Sequence, residues 1–226
     1  DNAGMIGSTF RAADRDVVYT ETLYYNAALS SMDTSEDGAG TEREYIFLDK
    51  LGNPEDYEGI DVTGKVVFVS RGELNFSQKL TNAANAGAAA CVIYNNVPGA
   101  AISMDLSQSY ANIPCVGITQ ADADAIRASS APRKDGDGNA LYYTGKMTIG
   151  HKTGVSVNLS EDCVYTMSSF SSWGVPSNLT LKPEITAPGG NIYSINGATP
   201  KTDQYVIMSG TSMASPHNAG LVALLC

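Results

Sequence analysis

The chain has 226 residues, enough for one large domain or two small ones. A hydrophobic share of 43% against 17% charged residues argues against a disordered chain, and the formal net charge of -10 argues against nucleic acid or anionic membranes as partners. No apolar run reaches the roughly 18 residues of a membrane span. No secretory leader is present and the first residue is Asp1, so the ends read as those of a mature product or a cloned piece. Cys91, Cys115, Cys163 and Cys226 are scattered without C-x-x-C spacing, which argues against a zinc site. Cys91 and Cys115 fall in strand-like runs, the usual setting of a buried free thiol. Pairing and redox compartment stay open.

In chain order, Gly4 to Ser8 reads as a loop entering a strand over Val17 to Thr20. Ser30 to Thr41 turns polar and reads as a linker and a domain boundary. Strands are expected over Glu44–Leu48 and Gly64–Ser70, with turn residues at Asn53 to Asp56 between them. Phe76, Leu80, Ala83, Ala84 and Gly87 then mark one face of a helix. Asn75 is its N-cap, and Gln78 completes a capping-box pair. Further strands follow over Ala90–Asn95 and Ile113–Ile118. Thr119 caps a short helix over Ala121–Ala128 with Asp122 in its first turn. The run Asp135-Gly136-Asp137-Gly138-Asn139 fails the calcium-loop pattern, because Ala140 and Lys146 stand where glycine and an acid are needed. It reads instead as a hairpin turn.

This middle block resembles the protease-associated domain. Gly64-Lys65, Arg71-Gly72, Ala86-Gly87-Ala88 and Tyr94-Asn95 match its pattern. Many members carry a cysteine shortly after the Arg-Gly pair; this chain has none there, so no disulfide is expected at that point.

The C-terminal third resembles the subtilisin-like serine proteases. Phe170-Ser171-Ser172-Trp173-Gly174 and Lys182-Pro183-Glu184-Ile185-Thr186-Ala187-Pro188-Gly189 match two family segments in order. Gly210 to His217, Gly-Thr-Ser-Met-Ala-Ser-Pro-His, matches the active-serine motif at every position. The resemblance implies that Ser212 is the nucleophile. A helix over Ala214–Leu225 is expected behind it, with Pro216 in its first turn and Ala214, Ala219 and Gly220 allowing close packing. A helix N-terminus offers unpaired N–H groups and partial positive charge where an oxyanion develops. The competing reading of a lone Ser near a helix start is an ordinary cap.

The expected fold class is α/β: a partial subtilisin-like parallel-sheet core interrupted by an inserted, mainly β protease-associated domain. Residues 1–30 and 159–226 are assigned to the core and 31–158 to the insert. The family's catalytic Asp and His motifs do not occur here, and its oxyanion Asn is expected upstream; Asn2 reads as a turn former. His217 lies five residues past Ser212, about 500° around a helix, and the family implies a structural role for it. His151 reads as an exposed loop residue. The expected function is therefore part of an extracellular or cell-surface serine endopeptidase, inactive on its own. Its partners would be protein or peptide substrates, and the inserted domain would restrict the cleft or help select them. No cofactor is implied within the chain, and calcium stays open for a longer parent. A non-catalytic protein-interaction module is the rival reading. Self-association is expected if the core pieces leave apolar faces uncovered.

Overall fold

The computed structural model describes residues 4–19, 22, 25, 27–99, 101–102, 104, 106, 108–158, 167–168, 170–172, 174, 179, 182–190, 192–195 and 205–225. Two compact units result, one over Ile6–Val155 and one formed by Asp1–Met5 with Ser156–Cys226.

The first unit is built on an eight-stranded sheet. Strands β1 (Gly4–Ala12) and β2 (Arg15–Tyr19) form an antiparallel hairpin. They are followed by β3 (Thr41–Phe47), β4 (Val66–Ser70), helix α1 (Phe76–Asn85), β5 (Ala90–Tyr94), β6 (Cys115–Ile118), helix α2 (Gln120–Ser129), β7 (Ala131–Lys134) and the long β8 (Ala140–Asn158). The sheet order is β2-β1-β8-β3-β4-β5-β6, with β7 paired to β8. The run β3-β4-β5-β6 is parallel, whereas β3 and β7 meet β8 antiparallel. The sheet curls until β2 lies beside β6. Thr22 Oγ1 donates to the Cys115 carbonyl there, and the Tyr25 hydroxyl lies 2.5 and 2.8 Å from the Ala111 and Ile113 carbonyls.

Alternation along the strands separates two cores. Phe10, Tyr19, Tyr45, Phe47, Phe68, Tyr94, Val116 and Met147 fill one face. Ile46, Val67, Val69, Cys91, Ile93 and Cys115 fill the other, where Leu80 and Ala83 of α1 cover them. Period-2 side chains on a strand buried on both faces demand this division. Phe68 is the hub of the first core: its ring meets Phe10 edge-on at 6.1 Å, Tyr45 edge-on at 5.2 Å and Phe47 stacked at 5.6 Å.

Both expected helix caps form. Asn75 Oδ1 accepts from the Gln78 N–H at 2.8 Å while Gln78 Oε1 accepts from the Asn75 N–H at 3.3 Å. Thr119 Oγ1 accepts from the Asp122 N–H at 3.1 Å. Asp135 closes the β7–β8 hairpin by accepting the N–H groups of Asp137 and Asn139, at 2.9 and 2.8 Å. Gly4 to Ser8, expected as a loop, belongs instead to β1. The polar run after Ser30, expected as a linker, contains a short 3-10 turn (Leu29–Met32) and then an Asp33-centred bond set to Ser35 and Thr41.

The second unit holds β9 (Ile192–Ile195), β10 (Tyr205–Met208) and α3 (Thr211–Leu225). Its two strands pair antiparallel. Among the described residues the C-terminal segment has only this antiparallel pair, and the parallel strands of the fold lie within residues 41–118. The fold as a whole is mixed α/β.

Two predictions concern the first unit. Phe68→Ala empties the centre of the aromatic core and should cost about 3–5 kcal/mol, read as a fall of about 10 °C in the thermal midpoint. The carboxyls of Asp16, Asp33, Asp61 and Asp135 are all held below the ordinary 3.8, chiefly by Lys152, the Ser35 N–H, the Thr63 N–H and the Asn139 N–H respectively. A lowered folded pKa stabilises above the unfolded value and loses that stabilisation as pH falls through the folded one. The thermal midpoint should therefore be lower at about pH 3 than at about pH 6, as circular dichroism melts would record.

Candidate active site at the start of helix α3

Strand β10 ends at Met208 and runs through Ser209 and Gly210 directly into α3. The Gly210 carbonyl accepts from the Met213 N–H at 3.0 Å and the Ala214 N–H at 3.4 Å, so Gly210 is the hinge on which the helix starts. Its own N–H donates to the Gly189 carbonyl at 2.7 Å. The Lys182-to-Gly190 segment, matched in sequence as a separate motif, is thereby bonded to the serine motif.

The helix begins at Thr211, earlier than the Ala214 start expected, so Ser212 stands in its first turn and is exposed. Among the described residues, no acceptor engages the Ser212 N–H. Pro216 consequently lies inside the helix rather than in its first turn. Having no N–H, it leaves the carbonyl four residues back, that of Ser212, without its helical donor. The Ser212 N–H is outside the helix ladder, as a backbone donor must be if it is to face a reacting carbonyl.

Close packing reaches only the start of α3. Ala214 is half-buried against Gly189, whereas Ala219 and Gly220, expected in a tight contact, are exposed. Leu224 and Leu225 are 86% and 79% exposed. No side chain of α3 is fully buried among the described residues.

Each histidine has a partner of its own. His217 Nδ1–H donates to the Met213 carbonyl of its own helix at 3.0 Å. His151 lies on β8, with Nε2 3.3 Å from Asp16 Oδ1. Asp16 also pairs with Arg11 at 3.1 Å and Lys152 at 2.6 Å, so that Asp-His contact is one part of a surface charge cluster. Asn2, Cys163 and Cys226 lie outside the described residues. Cys91 and Cys115 are free, buried and opposite one another on β5 and β6. The contact with Cys91 and burial together push the Cys115 thiol well up, which makes it a poor nucleophile. No group of three or more metal-ligating side chains occurs among the described residues. No helix among them is long and apolar enough to cross a membrane.

Nothing in the sequence marks Gly189 as a partner of Gly210 beyond its place in a motif. Lys79 is likewise invisible to periodicity: it is fully buried on α1, where its ammonium donates to the Leu51 carbonyl and burial lowers its pKa.

The comparisons with known proteins agree with the motifs. Residues 19–126 match the family model of the PA domain, and residues 156–226 match that of the subtilase family. The chain carries a PA domain and part of a subtilase region. It is 36% identical over 203 residues to a PII-type proteinase of Lactococcus lactis subsp. cremoris, covering 85% of this chain and 10% of that protein. It is 34% identical to the minor extracellular protease Vpr of Bacillus subtilis, over 77% of this chain and 20% of that protein. A C5a peptidase of Streptococcus pyogenes is 31% identical, over 80% and 14% respectively. The chain thus spans about a tenth of the first of these relatives and a fifth of the second. Among solved structures, a zinc aminopeptidase from Bacillus subtilis aligns at TM-score 0.47 and 23% identity, over 67% of this chain and 32% of that one. That likeness carries no argument about function.

Proposed function

We propose that Ser212 is the acylating nucleophile of a subtilisin-like endopeptidase that hydrolyses peptide bonds in proteins outside the cell or at its surface. The observation that carries this reading is the placement of the Gly210-to-His217 motif, with Ser212 exposed in the first turn of α3 and its N–H outside the helix ladder. An ordinary cap fits less well, since Gly210 already stands before the helix and Ser212 lies within it.

A serine hydroxyl near neutral pH needs a general base, and the base needs an orienting carboxylate. Within this reading the His, the Asp and the oxyanion Asn are supplied by sequence beyond these 226 residues. The PA unit is read as the part that restricts the cleft or helps select the protein substrate. The alternative, a non-catalytic protein-interaction module, draws support from the separate compactness and double core of the Ile6–Val155 unit.

On this reading the 226-residue chain should show no protease turnover and no labelling by a fluorophosphonate probe. In a longer protein that includes the Asp and His motifs, both should appear and both should vanish in Ser212→Ala. Labelling of the short chain that Ser212→Ala abolishes would mean a base resides in it. A longer protein without turnover that still bound protein ligands would favour the interaction module.

The bare face of α3 has its own consequence. The short chain should self-associate at micromolar concentration through Leu221, Val222, Leu224 and Leu225, all about half exposed or more. Light scattering should report an oligomer, reduced to monomer by Leu221→Glu with Leu224→Glu. A wild-type monomer would count against it.

A further inference from the structure

Gly189 is buried, and its carbonyl holds the Gly210 N–H at 2.7 Å. It does not adopt the left-handed conformation that requires glycine. What it needs is room. A Cβ at this position would lie 2.8 Å from the Gly210 carbonyl oxygen, 3.1 Å from Ala214 Cβ and 3.5 Å from the Ala214 nitrogen. Real side chains do not approach a backbone oxygen that closely, and a main-chain carbonyl cannot swing aside as a flexible side chain can. The oxygen concerned is the same one that accepts the first two helical N–H groups of α3, from Met213 and Ala214. Anything that displaces it displaces the turn containing Ser212.

The neighbouring residue supplies the contrast. Among the described residues, a Cβ at Gly190 would meet only Ser168 Oγ, at an ordinary 3.6 Å. Of two adjacent glycines, one is pressed against the hinge of the serine helix and the other is not.

We propose that Gly189 is a positioning residue for Ser212: its bare backbone fixes the Gly210 hinge, and through it the place of the serine hydroxyl. The proposal rests on the reading of Ser212 as nucleophile. It acts through geometry alone, and displacements of about 1 Å cost on the order of 100-fold in rate when reacting atoms must be aligned.

The test uses the longer protein that includes the catalytic Asp and His motifs. Gly189→Ala should lower kcat on a peptide amide substrate by about 10- to 100-fold while KM changes less than about twofold. Fluorophosphonate labelling should slow in parallel. Gly190→Ala should leave both near wild type. Adding Ala214→Gly to Gly189→Ala removes one of the two closest contacts and should restore part of the kcat. A kcat unchanged in Gly189→Ala, or lost equally in Gly190→Ala, overturns the proposal. If Gly189→Ala does not fold, hydrogen exchange of the wild-type protein decides: the Gly210 amide should be protected although Ser209 and Thr211 on either side are exposed, and an unprotected amide overturns it. Activity that survives Ser212→Ala would sink the nucleophile reading itself. Activity lost in Ser212→Ala but intact in Gly189→Ala would sink only the positioning role.

Discussion

Strand β4 is buried on both faces, and the PA unit depends on it. Val66 and Phe68 point into the aromatic core while Val67 and Val69 point toward α1, all of them fully buried. A strand in that position cannot be paired by a short hairpin loop, because parallel neighbours need a crossover that also covers one face. Helix α1 is that crossover between β4 and β5, and its capping box fixes where it begins. Deep burial also explains why the Tyr45 hydroxyl is bonded: it meets Ser130 Oγ at 2.7 Å, and Ser130 Oγ donates to the Ile126 carbonyl at 2.6 Å.

The second unit is organised on a different basis. Its best-defined contact is a pair of backbones, Gly189 and Gly210, meeting where no side chain fits. Around that contact the surface is apolar and open along α3. At roughly 25 cal/mol for each Å² of apolar surface removed from water, four exposed aliphatic side chains are a substantial stabilisation not realised in this chain. The helix has the composition of a buried element and the exposure of a surface one.

Much of the first unit was legible because its signals are local. Asn75 with Gln78 and Thr119 with Asp122 satisfy helix donors within one turn, so the sequence alone locates both caps. The β1–β2 hairpin was not legible for a physical reason. Its turn residues, Ala13 and Asp14, both take positive φ, at 53° and 57°, where an Asn-Gly pair is the usual signal. Without that signal Gly4 to Ser8 reads as loop. Lys79 escaped because burial of a lysine is decided by a distant carbonyl, that of Leu51, rather than by helical period. At the candidate site, the motif named the serine but not its surroundings. The helix starts at Thr211 because the Gly210 carbonyl accepts from Met213 and Ala214, an arrangement set by Gly189 some twenty residues earlier.

The site also separates two requirements that a complete serine protease meets together. Presentation of the serine is local: a tethered glycine hinge and a first helical turn with unused N–H capacity. Activation is not local, because it needs a base whose partner carboxylate fixes its tautomer and orientation. In this chain the two histidines are committed elsewhere, one to the Met213 carbonyl and one to the Asp16 cluster. A serine presented without a base would keep an ordinary hydroxyl, because no placement of backbone donors removes its proton. On the proposed reading, the nucleophile half of the chemistry lies in a short stretch of backbone, while the proton-transfer half depends on a base and carboxylate supplied elsewhere.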